Sequence, residues 1–172
     1  MKIILNAGHT MSGGGSGAIG YLNESRETRK VVSLLAKKLQ AEGHTVEVIN
    51  IDKAENQSAY LYAVANKANK EGADLLVSIH FNAGKGRGSE CFTWKGKKMK
   101  EAVGICDELS KLGFKNRGVK DGSIFYLIRK TQMPAVIVEV CFVDSKTDSN
   151  LYKSLGENKI ARAICDGITK NY

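Results

Sequence analysis

Apolar and polar positions alternate along the chain in blocks of two different periods. KIILNA (2–7) is a short apolar run, ended by Gly8, His9 and Thr10, and is expected to be a buried strand. Thr10 to Gly20 comes next with five glycines and no period, which predicts a loop. From Asn23, NESRETRKVVSLLAKKLQAEG repeats its apolar residues at helical spacing through Val31, Leu34, Leu35 and Leu39. Asn23 is placed to cap this helix and Gly43 to stop it. HTVEVIN (44–50) alternates as a strand, and residues 56–71 carry Leu61, Val64 and Ala68 on one helical side. ADLLVSIHFN (73–82) and GSECFTW (88–94) are expected strands, 97–112 a helix, FYLIR (125–129) a short strand and AVIVEVCFV (135–143) a long central one. Two helical segments close the chain, the last with Ile160, Ile164 and Ile168 on its core side.

Alternating β and α units predict an α/β fold with a largely parallel sheet. The 172 residues suit one domain spanning 1–172. In such sheets ligands bind beyond the carboxyl ends of strands, where the strand order reverses. That rule directs the search for chemistry to the carboxyl ends of KIILNA, ADLLVSIH and the central strand.

The same three places carry the residues of interest. His9 lies just past the first strand, His80 at the end of ADLLVSIH, and Glu139 inside AVIVEVCFV, while Glu24 opens the first long helix. Two imidazoles, a carboxylate and a position left for water form the usual catalytic zinc set. A further carboxylate beside that water would serve as general base. Each residue also has an ordinary explanation. A histidine after a strand is commonly a loop residue, and one in a buried strand can be a satisfied core histidine. Glu24 at a helix start is favoured by the macrodipole alone, and Glu27 shares its face one turn on. Glu139 is the strongest signal, because burying a carboxylate in so apolar a strand costs several kcal/mol without compensation. An edge strand exposing it would remove that cost. His44, between a helix stop and a strand start, reads as structural.

Composition narrows the classes. Hydrophobic content of 42% and charged content of 26% fit a folded globular chain rather than a disordered one. No apolar run reaches the ~20 residues of a membrane span. MKIILNAGHT is too short in its apolar stretch for a signal peptide, so synthesis in the cytoplasm is expected, and any export would need another route, such as a membrane lesion. Cys91, Cys106, Cys141 and Cys165 each sit in an apolar pattern without a C-x-x-C pair and are expected to be reduced, buried thiols. The net charge of +8 is concentrated. Residues 85–130 hold 12 Lys and Arg against 5 Asp and Glu, which suits a polyanionic partner. No helix-turn-helix, zinc-finger or RNP pattern appears, so nucleic acid is not the expected polyanion.

The chain resembles the zinc-dependent N-acetylmuramoyl-L-alanine amidases of phage endolysins and bacterial autolysins, the type 3 amidases. The resemblance covers essentially the whole chain. It is carried by NAGH, NESRETRKVVSLLAKKL, EGHTVEV, VSIHFNAGKGRGSE, NRGVK and MPAVIVEVCFVDSKTD in that order. It implies a twisted, largely parallel six-stranded sheet flanked by helices on both faces. It also implies Zn²⁺ held by His9, Glu24 and His80, with Glu139 as the catalytic carboxylate; the NE before the helix selects Glu24 over Glu27. Asn82, Asn116 and Arg117 match substrate-facing loops. The implied partner is bacterial peptidoglycan, with anionic wall polymers drawn to the basic region, and the protein is expected to act at the cell wall as a monomer. Thr10 and Met11 replace glycines common in the family after the first histidine, and Cys141 replaces one after the catalytic glutamate; neither departure removes a ligand. The alternatives are another zinc hydrolase of similar architecture, a carboxypeptidase or deacetylase, and a non-catalytic wall-polyanion-binding module. The products released from purified wall separate the first, and tolerance to loss of all four site residues separates the second.

Overall fold

The computed structural model describes residues 1–170. Six strands form one sheet: β1 (Lys2–Ala7), β3 (Thr45–Ile49), β5 (Leu75–Asn82), β6 (Ser89–Thr93), β7 (Asn116–Asp121) and β8 (Ala135–Phe142), in the order β3-β1-β5-β8-β6-β7. Every neighbouring pair is parallel except β6 with β8. Two short strands, β2 (Ser12–Gly13) and β4 (Lys53–Ala54), pair with each other outside this sheet and tie down part of the glycine-rich stretch expected to be a loop.

Side chains alternate across the pleat, so each strand feeds two cores. Ile3, Leu5, Val77, Ile79, Val136 and Val138 face a core completed by α1 (Glu24–Ala41), α3 (Lys100–Lys111), α5 (Lys146–Leu155) and α6 (Glu157–Thr169). Ile160, Ile164 and Ile168 of α6 are buried there, on the side their spacing predicts. Ile4, Leu76, Ala135 and Ile137 face the opposite core, completed by α2 (Gln57–Glu71) and α4 (Tyr126–Lys130). Asn23 caps α1 as expected, its side chain accepting the Arg26 amide.

Three local expectations fail. FYLIR is the short helix α4 preceded by Phe125, with i→i−4 bonds from the Arg129 and Thr131 amides to the Phe125 and Leu127 carbonyls. A five-residue apolar run has no length over which strand and helix periods diverge, and here Leu127 and Ile128 are buried together rather than alternately. NRGVKD, which contains Asn116 and Arg117 expected in a loop, is the edge strand β7. Its polar, half-exposed residues carry no apolar alternation, so it leaves no strand pattern. GSECFTW stops being a strand at Thr93, after which Trp94–Gly96 makes a short turn kinked at Lys95, where φ is 52°.

Candidate active site

The second face of the sheet changes character along its strands. Its apolar rows, Ile4 beside Leu76 and Leu76 beside Ala135, give way to Asn6 beside Ser78 and then His80 beside Glu139, with Glu90 as the partner of Glu139 on β6. Glu139 therefore stands on an interior strand, between His80 and Glu90, and the exposed-edge alternative does not hold. The polar row lies near the carboxyl ends of β1 and β5. The chain leaves β1 for β3 on one side and returns to β5 on the other, so this is the switch point at which α/β sheets take ligands.

His9 follows β1 with a positive φ of 67°, a conformation that costs about 1–3 kcal/mol in a residue other than glycine. Arg29 of α1 stabilises it. Its Nη2 donates to the His9 carbonyl at 2.8 Å and its Nη1 to the Gly8 carbonyl at 3.3 Å, while Nε pairs with Asp52 at 2.9 Å. Gly8 is required for a different reason: a Cβ there would come within 2.3 Å of the His80 ring. The strand thus ends on glycine and histidine because the His80 imidazole occupies the space beside Gly8.

Glu24, the first residue of α1, is 3% exposed and reaches both histidines. Its Oε1 lies 3.1 Å from His9 Nε2 and 3.2 Å from His80 Nδ1. The amides of Phe81 (3.0 Å, to Oε1) and Ala18 (2.9 Å, to Oε2) fix the carboxylate. Burial opposes ionisation, but the hydrogen bonds from His80 and His9 hold Glu24 well below the usual carboxylate range. For His9, burial acts against the charge and the Glu24 carboxylate outweighs it, raising its pKa. Glu27, its rival for this position, instead accepts from Tyr152 and Lys30.

The outer bonds of the two rings decide which nitrogens face inward. His9 Nδ1 is 3.0 Å from the Gly15 carbonyl, which only accepts, so Nδ1 carries a proton and Nε2 is the nitrogen left for a metal. His80 Nε2 is 3.1 Å from Ser78 Oγ, whose own proton goes to Asn6 Oδ1 at 2.7 Å. Nε2 therefore donates, and Nδ1 is the nitrogen left for a metal. Two imidazole nitrogens and a carboxylate oxygen, all within 4.8 Å of one another, face a common point. Without a metal, protons on the inner nitrogens serve Glu24; a metal ion would take their place, and the residues present fit one. Among the described residues this is the one group of metal-ligand side chains so arranged.

Glu139 completes the constellation. Its Oε2 is buried with no hydrogen-bond partner among the described residues, and burial, then repulsion from Glu24 and Glu90, pushes its pKa up to about 8. With His9 and His80 it lines a groove whose other lining includes Gln57 and Leu61 of α2, the Phe125–Leu127 segment and Ile137.

The remaining expected site residues divide. Asn82, at the end of β5, donates to Glu90 Oε1 at 2.7 Å, and Arg117 Nε donates to Glu90 Oε2 at 2.8 Å. Both are thus gathered one strand beyond Glu139, around a carboxylate that sequence reasoning did not single out. The clue was available: Glu90 is an acid inside the apolar strand SECFT, the same signal as Glu139. Lys120 also pairs with Glu90, and these cations outweigh its burial and lower its pKa. Asn116 turns instead to α3, bonding Asp107 at 3.0 Å. His44 begins beside β3, at the end of the sheet away from His9, as a structural reading requires.

Comparison with known proteins places these observations in a family. The family model described as N-acetylmuramoyl-L-alanine amidase matches residues 3–170. An uncharacterised Clostridium perfringens protein is 37% identical over 179 residues, covering 99% of this chain and 52% of that protein. The N-acetylmuramoyl-L-alanine amidase CwlM of Bacillus licheniformis is 33% identical over 177 residues, covering 100% of this chain and 69% of CwlM. The chain thus spans about half the length of its Clostridium perfringens relatives. Among solved structures, the catalytic domain of the CD27L endolysin targeting Clostridia difficile superposes with a TM-score of 0.91 at 33% identity, covering 98% of this chain and 96% of that one. The chain belongs to the N-acetylmuramoyl-L-alanine amidase family.

Proposed function

We infer that residues 1–172 form one catalytic domain, which hydrolyses the amide bond between N-acetylmuramic acid and L-alanine in bacterial peptidoglycan with Zn²⁺ as cofactor. The observation that carries this reading is the placement of Glu139 as direct strand partner of His80, beside the inward-facing His9, Glu24 and His80 donors. Two nitrogens and one carboxylate oxygen suit zinc and not the oxygen-seeking Mg²⁺ or Ca²⁺. Zinc bound there would acidify water and polarise the scissile carbonyl.

The protein's own groups do the rest. His9, Glu24 and His80 hold the ion through rings and a carboxylate already fixed by Gly15, Ser78, Phe81 and Ala18. Glu139 accepts a proton as the water oxygen bonds to the carbonyl carbon, then delivers it to the alanine nitrogen as the C–N bond breaks. The products are a free lactyl carboxylate and a free amine. The apolar groove between α2 and α4 is assigned to the substrate on either side of the scissile bond. Asn82 and Arg117, oriented by Glu90, are assigned to the substrate; Asn116 is assigned to supporting β7 against α3.

Variants separate metal holding from proton transfer. Glu139→Gln should retain one zinc per chain while losing two or more orders of magnitude in rate, the usual scale for a general base. His80→Ala should lose the zinc. If Glu139→Gln releases zinc while Glu24→Ala keeps it, the roles are reversed and the assignment fails.

A further inference from the structure

Beneath the site, on the same face of the sheet, lies a buried polar cluster that takes no part in the bond change itself. Asn6, Ser78 and Tyr60 are at most 1% exposed, and all three sit at the boundary with the apolar core of α2 and α4. Burying polar side chains there costs free energy unless their bonds are complete and directed. They are complete. Asn6 Nδ2 donates to the Ile49 carbonyl at 2.8 Å, which orients the amide so that Oδ1 faces the hydroxyls. Ser78 Oγ donates to that oxygen at 2.7 Å, and Tyr60 Oη is 3.3 Å from both Asn6 Oδ1 and the Ala7 carbonyl.

A serine hydroxyl has one proton. Committed to Asn6, it leaves Ser78 Oγ only lone pairs to offer His80 Nε2 at 3.1 Å. We propose that Asn6 and Ser78 are positioning residues, a two-step relay of hydrogen-bond polarity that holds His80 in its Nε2–H form and so keeps the Nδ1 lone pair directed to the metal. The inference rests on the reading of His9, Glu24 and His80 as a metal site. Polarity, not only shape, is what the relay transmits. Removing Asn6 Oδ1 would free the Ser78 proton, whose next acceptor is His80 Nε2; the ring proton then moves to Nδ1, where it blocks coordination. Neither residue touches the ion. Partners one step out from a metal ligand typically change metal affinity 10–100-fold.

The test compares wild type, Ser78→Ala, Asn6→Ala and Tyr60→Phe in the folded full chain. Zinc affinity is measured by competition with a chromophoric chelator, and the Nε2–H of His80 is read by ¹⁵N NMR in the zinc-loaded protein. Wild type should bind one zinc and show the Nε2–H form. Ser78→Ala and Asn6→Ala should each weaken zinc about 10–100-fold, with Asn6→Ala also weakening the His80 Nε2–H signal. Tyr60→Phe removes a second, longer donor to Asn6 Oδ1 and leaves the Ser78–Asn6 and Ser78–His80 bonds in place. It should lower the denaturation midpoint yet leave zinc affinity within about twofold and the ring form unchanged, since a lost hydrogen bond acts on stability. If Asn6→Ala fails to fold, Ser78→Ala, the smaller change, carries the comparison with Tyr60→Phe. Zinc binding in wild type with unchanged affinity and ring form in Ser78→Ala would overturn the relay alone. Absence of zinc binding in wild type would overturn the metal site and the relay with it.

Discussion

Glu139 on β8 and Glu90 on β6 are direct partners across the antiparallel pair, so two carboxylates share one edge of the site. Like charges this close cannot both ionise cheaply, and their surroundings separate them. Glu90 keeps its charge because Arg117 and Lys120 bond it. Among the described residues Glu139 has no cation of its own, and its pKa rises to about 8.

That split predicts the pH dependence of the metal-free protein. Glu139 moves from 4.5 unfolded to about 8 folded, so over that interval the folded state binds more protons. Its contribution to stability is full below about 4.5 and is lost as pH rises through about 8. The full swing is roughly 5 kcal/mol at most. Urea midpoints of metal-free wild type should fall across this window, and Glu139→Gln should remove most of the fall. Saturating zinc should also reduce it, since a nearby dication favours the anion. Equal slopes for wild type and variant would show that Glu139 is ionised in the folded chain.

The thiols should be silent. Cys91, Cys106, Cys141 and Cys165 are all buried and free, and burial, with Asp148 and Glu139, pushes the Cys141 thiol up. Labelling of folded protein by a thiol reagent should be slow and become complete only on denaturation. Fast labelling of Cys141, two residues from Glu139, would mean that the sheet opens beside the site.

Much of the site is legible in the sequence because its chemistry contradicts its surroundings. Glu139 interrupts an apolar strand, and His9 follows a strand that ends on glycine. The choice of Glu24 over Glu27 needs the family likeness, since one helical turn does not separate them; the structure gives Glu27 to Tyr152. Glu90, Ser78 and Arg29 escape notice in the sequence because their meaning is relational. Ser78 is an ordinary serine until its proton is seen to go to Asn6, and Arg29 an ordinary helix residue until it bonds the His9 carbonyl. The α4 helix and the β7 edge are hidden for the opposite reason, having too few residues or too little apolar contrast to show a period.

The basic stretch should govern attachment rather than chemistry. Residues 85–130 carry +7 of the +8 net charge, and Lys95, Lys97, Lys98 and Lys100 within it are exposed. Attraction between such charges and anionic wall polymers is screened over a Debye length of ~8 Å at physiological salt. Sedimentation with purified walls should weaken as salt rises, while hydrolysis of a small soluble muramoyl-peptide should change little. Replacing the four lysines with neutral residues should flatten the salt response without altering zinc content. Equal pelleting of both proteins at every salt concentration would assign these lysines to the solvated surface alone.

Which bond is cut, and by what means, is tested most directly by mass spectrometry of fragments released from purified peptidoglycan, with and without a strong chelator. Intact stem peptides with a free N-terminal alanine should appear together with sugar chains that carry free lactyl carboxylates. Chelation should abolish their release, and added zinc should restore it. Free amino acids or shortened stems would point to a peptidase, loss of acetyl groups to a deacetylase, and undiminished release under chelation would contradict the metal-centred mechanism itself.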